Sequence, residues 1–117
     1  IVGCGPILYE ALKAAFILEK EGIGVMVVNF PQVKPLDVGY LLRIAKDARA
    51  VVTVEEHQVS GGFGSAVAEY LSEHHPIRIG RIGIEDRFGQ SGKVGEFYEE
   101  YGLTAKHIAQ KVRDTLH

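Results

Sequence analysis

The chain has 117 residues, 46% of them hydrophobic and 24% charged, a composition that excludes global disorder and fits one soluble domain. Thirteen Lys and Arg against fifteen Asp and Glu give a net charge of −2, so no basic excess exists to collect phosphates and nucleic-acid binding as the main task is excluded. A single cysteine, Cys4, leaves no internal disulfide and no Cys-rich metal site, and fits a reducing, cytoplasmic compartment. The longest apolar runs are far short of a bilayer span, and no signal peptide or lipidation motif is visible, so no membrane role is expected.

In chain order, Ile1-Val2 runs straight into the turn Gly3-Cys4-Gly5-Pro6 and reads as the tail of a longer strand. Pro6 suits the first position of a helix, with Leu8, Ala11, Leu12, Ala15 and Leu18 on its inner face and Gly22 at its end. Val25-Met26-Val27-Val28 is a continuous apolar run, as expected of a strand covered on both sides. After the proline-bounded stretch 30–35, Asp37 caps a helix with Leu41, Leu42 and Ala45 inward. Residues 50–54 (Ala-Val-Val-Thr-Val) form a third strand, followed by Glu55-Glu56-His57 and a loop over 58–64. Ala66, Val67, Tyr70 and Leu71 mark the next helix, stopped by His74-His75-Pro76, and 77–84 alternates as a fourth strand. Val94, Phe97, Tyr98 and Tyr101 suggest a short helix. Thr104 then opens a last helix with Ile108, Val112 and Leu116 inward.

Strict alternation of this kind specifies an α/β fold with a mostly parallel sheet and helices on both faces, three layers in all. Right-handed crossovers make 2-1-3-4 the economical strand order. That order sets a switch point between the strands ending at Val2 and Val54, where the loops 3–6 and 55–64 meet.

Two glycine turns follow strands there: Gly3-Cys4-Gly5-Pro6 and Gly61-Gly62-Phe63-Gly64-Ser65-Ala66. Each reads either as a tight structural turn or as a nucleotide cradle, with Glu85 or Asp86 as ribose partner for the second. Glu55, Glu56 and His57 sit at a strand end, alternation placing Glu56 opposite the other two. They offer a general base, two metal ligands, or a hydrogen bond that shapes the loop. Cys4, beside a helix N-terminus, is either a thiol of lowered pKa or a small residue that a tight turn requires. Arg87, Gln90 and Ser91 precede a helix and form a candidate anion or regulatory loop. No nucleophile, base and oxyanion hole can be assembled from these residues.

Taken together, Phe30-Pro31-Gln32-Val33-Lys34-Pro35-Leu36-Asp37, Val52-Thr53-Val54-Glu55-Glu56-His57, Gly61-Gly62-Phe63-Gly64-Ser65-Ala66-Val67 and Asp86-Arg87-Phe88-Gly89-Gln90-Ser91-Gly92 closely resemble the C-terminal domain of transketolase. The resemblance covers 1–117 as one domain, with the Asp86–Gly92 motif favouring transketolases, particularly split ones. More distantly it extends to 1-deoxyxylulose-5-phosphate synthase and the beta subunits of 2-oxo-acid dehydrogenases. It implies a parent enzyme that moves a two-carbon ketol unit between sugar phosphates in the pentose phosphate pathway. Thiamine diphosphate and Mg²⁺ would be bound by other domains. It also implies a fifth, antiparallel strand upstream of Ile1, and partners in the other transketolase domains or an N-terminal subunit, in a homodimer. No catalytic, cofactor-binding or metal residue carries over, so this chain alone is expected to be inactive. Glu55, Glu56, His57, Gly61, Gly62 and Phe63 become a candidate inter-domain or subunit contact, Phe63 standing out as an apolar anchor or tucking under its own helix.

Overall fold

The computed structural model describes residues 1–31, 34–58, 62–84, 98–100 and 102–117, with residues 57 and 58 by backbone alone. Short β-branched runs alternate with helical stretches: β1 (Val2–Gly3), α1 (Ile7–Glu19), β2 (Val28–Asn29), α2 (Val38–Lys46), β3 (Ala50–Gln58), α3 (Phe63–His74), β4 (Arg78–Ile84) and α4 (Ala105–Leu116). The four strands make one parallel sheet in the order β2-β1-β3-β4, as the alternation predicts.

The helices divide between the two faces and bury two separate apolar clusters. On one face Ile7, Ala11, Ala14 and Leu18 of α1 and Ile108, Ala109 and Val112 of α4 pack on Val52, Val54 and Ile82. On the other, Leu41 and Ala45 of α2 and Phe63, Val67 and Leu71 of α3 pack on Val2, Val28, Phe30 and Val51. Each fully buried aliphatic or aromatic side chain contributes about 1.5–3 kcal/mol, so both layers are strongly held. Phe30 binds the second cluster together, its ring 5.8 Å from Phe63 and 5.5 Å from Tyr40.

Local chemistry sets the helix ends. Asp37 Oδ1 accepts from Tyr40 N at 3.1 Å as the cap of α2. Gly22, at φ +81°, closes α1, with Gly22 N donating to Glu19 O and Ile23 N to Leu18 O, both at 3.0 Å. Thr104 holds the cap position of α4, but its hydroxyl pairs with His107 Nδ1 at 2.6 Å instead of the helix backbone. The carboxylate that reaches the first turn of α4 comes from α1: Ala105 N donates to Glu10 Oε1 at 3.2 Å. At the other end of α1, Arg113 of α4 forms a two-pronged pair with Glu21 at 2.5 and 2.8 Å.

Two expectations are corrected. The inner face of α1 runs through Ile7, Ala11, Ala14 and Leu18, while Leu12 is 48% exposed. An almost wholly apolar helix offers more than one stripe, and periodicity alone does not choose between them. The strand expected over 25–28 is reduced to Val28–Asn29, with Met26 64% exposed. β1 pairs with it at Val28 and Asn29, and Ile1 N donates to Met26 O at 2.8 Å.

Candidate functional site at the carboxyl ends of the strands

β1 and β3 are adjacent, so the loops leaving them meet at the switch point between β1 and β3. The backbones approach closely: a Cβ on Gly3 would lie 2.6 Å from Val54 O, so only glycine fits there. Gly5, at φ +84°, turns the chain into α1. Both glycines of the first turn thus have backbone reasons.

Beyond Val54 the β3–β4 register slips. Val54 faces Ile82 and Gln58 faces Ile84, so β3 carries two more residues than β4 across this interval. Glu55 leaves the irregular stretch buried and directed at α3, accepting from Phe63 N at 2.8 Å and Gly64 N at 2.7 Å. The helix begins after Gly62, which has no side chain to cap it. A carboxylate from the neighbouring strand therefore satisfies two orphan amides and meets the positive end of the helix. Gly64 makes this possible, because a Cβ there would lie 2.6 Å from Thr53 Oγ1 and 2.7 Å from Glu55 Oε2. Arg81 Nη2 donates to Ser65 Oγ at 2.5 Å, tying β4 to the same first turn.

Glu56 is directed elsewhere. Its Oε1 accepts from Tyr98 OH at 2.5 Å, and Tyr98 packs against the α1–α4 cluster. Burial, then the hydrogen bond to Glu56, holds the Tyr98 phenol above the usual tyrosine range. Cys4 lies half-buried near both acids, and its thiol is raised, first by burial and then by the charges of Glu55 and Glu56. Of the two readings of Cys4, this direction speaks against a thiol of lowered pKa and leaves the small residue of a tight turn.

Two further expectations are narrowed. Phe63 tucks beneath its own helix against Phe30 and does not stand out as an anchor. Glu55 is likewise interior, so neither side chain is available to a partner; both shape the loop instead. A nucleotide phosphate at the start of α3 would have to displace a carboxylate already bonded to two amides, which argues against the cradle. Gly62 is half-buried at the helix entry. The side chain of His57, and Gly61, Glu85, Asp86, Arg87, Gln90 and Ser91, lie outside the described residues, as does the expected short helix apart from residues 98–100, which are helical.

Residues 1–108 match the family described as transketolase, C-terminal domain. The chain belongs to that family. It is 44% identical, over 97% of its own length and 18% of the relative's, to the 1-deoxy-D-xylulose-5-phosphate synthase of Heliobacterium modesticaldum. It is 43% identical, over 97% of itself and 35% of the relative, to the 6-deoxy-6-sulfo-D-fructose transketolase subunit SqwH of Clostridium sp. strain MSTE9. Among solved structures, a split-gene transketolase described as an inactive beta4 tetramer superposes with a TM-score of 0.93 at 45% identity. There the match covers 98% of this chain and 38% of that one. The chain therefore spans only a fraction of the relatives that it matches.

Transketolase-family enzymes use thiamine diphosphate. Among the described residues no cluster of three or more His, Cys, Asp or Glu is placed to hold a metal ion, and the first amides of α3 are bonded by Glu55. No helix among them is long and apolar enough to cross a membrane. What the sequence reading missed is on the outside of α1. Tyr9, Leu12 and Phe16, 73%, 48% and 68% exposed, form an apolar stripe at i, i+3, i+7 beside the buried one. The signal was present in the spacing, masked by the equally good inner stripe.

Proposed function

We propose that this transketolase C-terminal domain is a non-catalytic assembly domain of a thiamine diphosphate enzyme that transfers a two-carbon ketol unit between sugar phosphates. The exposed Tyr9–Leu12–Phe16 face of α1 carries the reading. A contiguous apolar face of this kind on a folded domain marks an interaction surface. Its occupant is the remainder of the enzyme, as further domains of one polypeptide or as a separate subunit, because the matched relatives are several times longer than this chain. The strand-end acids support the same reading, since Glu55 and Glu56 are committed to Phe63, Gly64 and Tyr98. A split-gene relative described as an inactive beta4 tetramer supports assembly without activity in a chain containing this domain.

The ketol donor and acceptor are tested with the parent enzyme supplied with thiamine diphosphate and Mg²⁺. Sedoheptulose 7-phosphate from xylulose 5-phosphate and ribose 5-phosphate is the expected product. A second reading, a pyruvate-decarboxylating synthase, is favoured by the 44% identity to the Heliobacterium protein. CO₂ from pyruvate with glyceraldehyde 3-phosphate would establish it. The assembly role is tested by Tyr9→Ser with Phe16→Ser: weaker association with the rest of the enzyme and an unchanged circular dichroism spectrum are expected. Undiminished association would refute the role given to α1.

A further inference from the structure

β4 ends the sheet on the side away from β2, and among the described residues its outer edge pairs with no strand. In a parallel ladder every second residue turns both its N–H and its C=O to one neighbour. Alternate residues of β4 therefore aim theirs outward, away from β3. An edge left this way is a template for one more strand. Beside it lies a groove of about 550 Å³, lined by residues 78–81 of β4 and by Lys111 and Asp114 of α4. Its lining takes nothing from β3, which sets it on the outer flank of the sheet.

The two faces of this edge differ in chemistry. Side chains alternate along a strand, so Arg78 and Gly80 share the α4 side with Ile82, which joins the core there. Ile79 and Arg81 take the other side, where Ile79 packs on the α2–α3 cluster and Arg81 donates to Ser65 of α3. Gly80 lets α4 approach: a Cβ there would lie 3.1 Å from Lys111 Cγ and 3.2 Å from its Cδ, and would run into Thr115 Oγ1. The stem of Lys111 thus lies across Gly80, and Arg78 and Lys111 bring two cations to one face. Neither makes an ion pair or a side-chain hydrogen bond among the described residues. Asp114, the acid of the same groove, accepts instead from Gln110 Nε2 at 2.9 Å.

We propose that the β4 edge is a docking site for an extended acidic segment of a separate protein, added as a further strand with two carboxylates flanking one apolar residue. The acids face Arg78 and Lys111, two positions apart on the α4 side, and the residue between them turns to the other side, beside Ile79. Main-chain hydrogen bonds hold such a strand, and its alternating side chains select it. Cations along an edge repel a second copy of that edge and admit a strand of opposite charge. Charge also sets the kind of partner. The Tyr9–Leu12–Phe16 face is apolar, as lasting interfaces are, whereas solvated charge pairs speed encounter and allow release. The occupant is therefore a protein that binds and leaves, not a fixed part of the same enzyme.

The inference is independent of the parent's reaction and of the α1 face, and its test is read without activity. The probes are labelled, end-capped peptides Ser-Glu-Val-Glu-Ser and Ser-Lys-Val-Lys-Ser, added at up to about 1 mM to the full polypeptide that carries this domain. The acidic peptide is expected to bind at least about tenfold tighter than the basic one, to weaken with salt, and to slow amide exchange within β4. Arg78→Glu with Lys111→Glu should reverse the preference at an unchanged circular dichroism spectrum, which a merely structural role for the two cations would not produce. Equal binding of the two peptides, no binding, or a preference that survives the double charge reversal would overturn the proposal. Binding without slowed exchange in β4 would overturn it by showing a charge contact and no added strand. Outward β4 amides already slow before the peptide is added, and unchanged by it, would overturn it by assigning the edge to the enzyme's own chain.

Discussion

Replacing Glu55 by Gln tests whether a strand-borne carboxylate holds the start of α3. The native side chain accepts from Phe63 N and Gly64 N at 2.8 and 2.7 Å in a buried position. Gln retains the shape and one acceptor oxygen but turns an NH₂ toward the second amide. A buried donor then faces a donor, which costs about 1–3 kcal/mol. Loss of the negative charge at the helix N-terminus adds roughly 0.3–1 kcal/mol, and up to about 2 in partly buried geometry. Opposing this, a neutral amide is easier to bury than a carboxylate. Net destabilisation of about 2–4 kcal/mol is expected. At a urea slope of about 1–3 kcal/mol/M, the midpoint then falls by roughly 1–2 M. The chain has no Trp, so unfolding is followed by far-ultraviolet circular dichroism, and the Phe63 and Gly64 amides should lose exchange protection. A midpoint within about 0.3 M of the native value at unchanged slope would refute the argument, showing that desolvation of the charge cancels its hydrogen bonds.

Gly64→Ala gains about 1 kcal/mol of helix propensity but drives a methyl into Thr53 Oγ1 and Glu55 Oε2, so a net loss of about 1–3 kcal/mol is expected in thermal melts; an unchanged or raised Tm would refute the close approach. Tyr98→Phe alters the alkaline limb. The folded phenol titrates above the unfolded value of about 10, so the unfolded state sheds its proton first and native stability falls as pH rises beyond about 10. The variant lacks that slope, and urea midpoints at pH 9 and 11 check it. Cys4 should alkylate slowly with iodoacetamide at pH 7 and accelerate only above the ordinary thiol range, whereas rapid labelling at pH 7 would refute the raised thiol.

The layer architecture was legible because helices and strands alternate and right-handed crossovers leave few orders, so β2-β1-β3-β4 follows from pattern alone. The helix ends at Asp37 and Gly22 were legible for the same local reasons. The inner face of α1 was legible in part: Ala11 and Leu18 are buried and Leu8 packs on the same cluster, as expected, whereas Leu12 faces out and Ile7 and Ala14 take the inner positions, a choice that periodicity alone does not make. At the strand end, alternation correctly opposed Glu55 to Glu56, yet the partner of each depended on distant chain. Tyr98 lies 42 positions from Glu56, and the register slip after Val54 that accompanies the turn of Glu55 toward α3 leaves no local trace in the sequence. Phe63 between glycines reads as exposed until Phe30 is placed beneath it.

In an open parallel sheet the carboxyl ends of the strands are the usual place for chemistry, because loops there converge and helix N-termini supply a positive field. This domain keeps the convergence but spends the field on its own carboxylate. Glu55 occupies the start of α3, Glu56 accepts from Tyr98, and burial, then both carboxylates, raises the thiol of Cys4. One feature that the described residues leave open is of a different kind: the apolar side-chain area of Tyr9, Leu12 and Phe16 on the outside of α1 offers no charge to a small phosphorylated substrate, and its chemistry suits a packed protein surface.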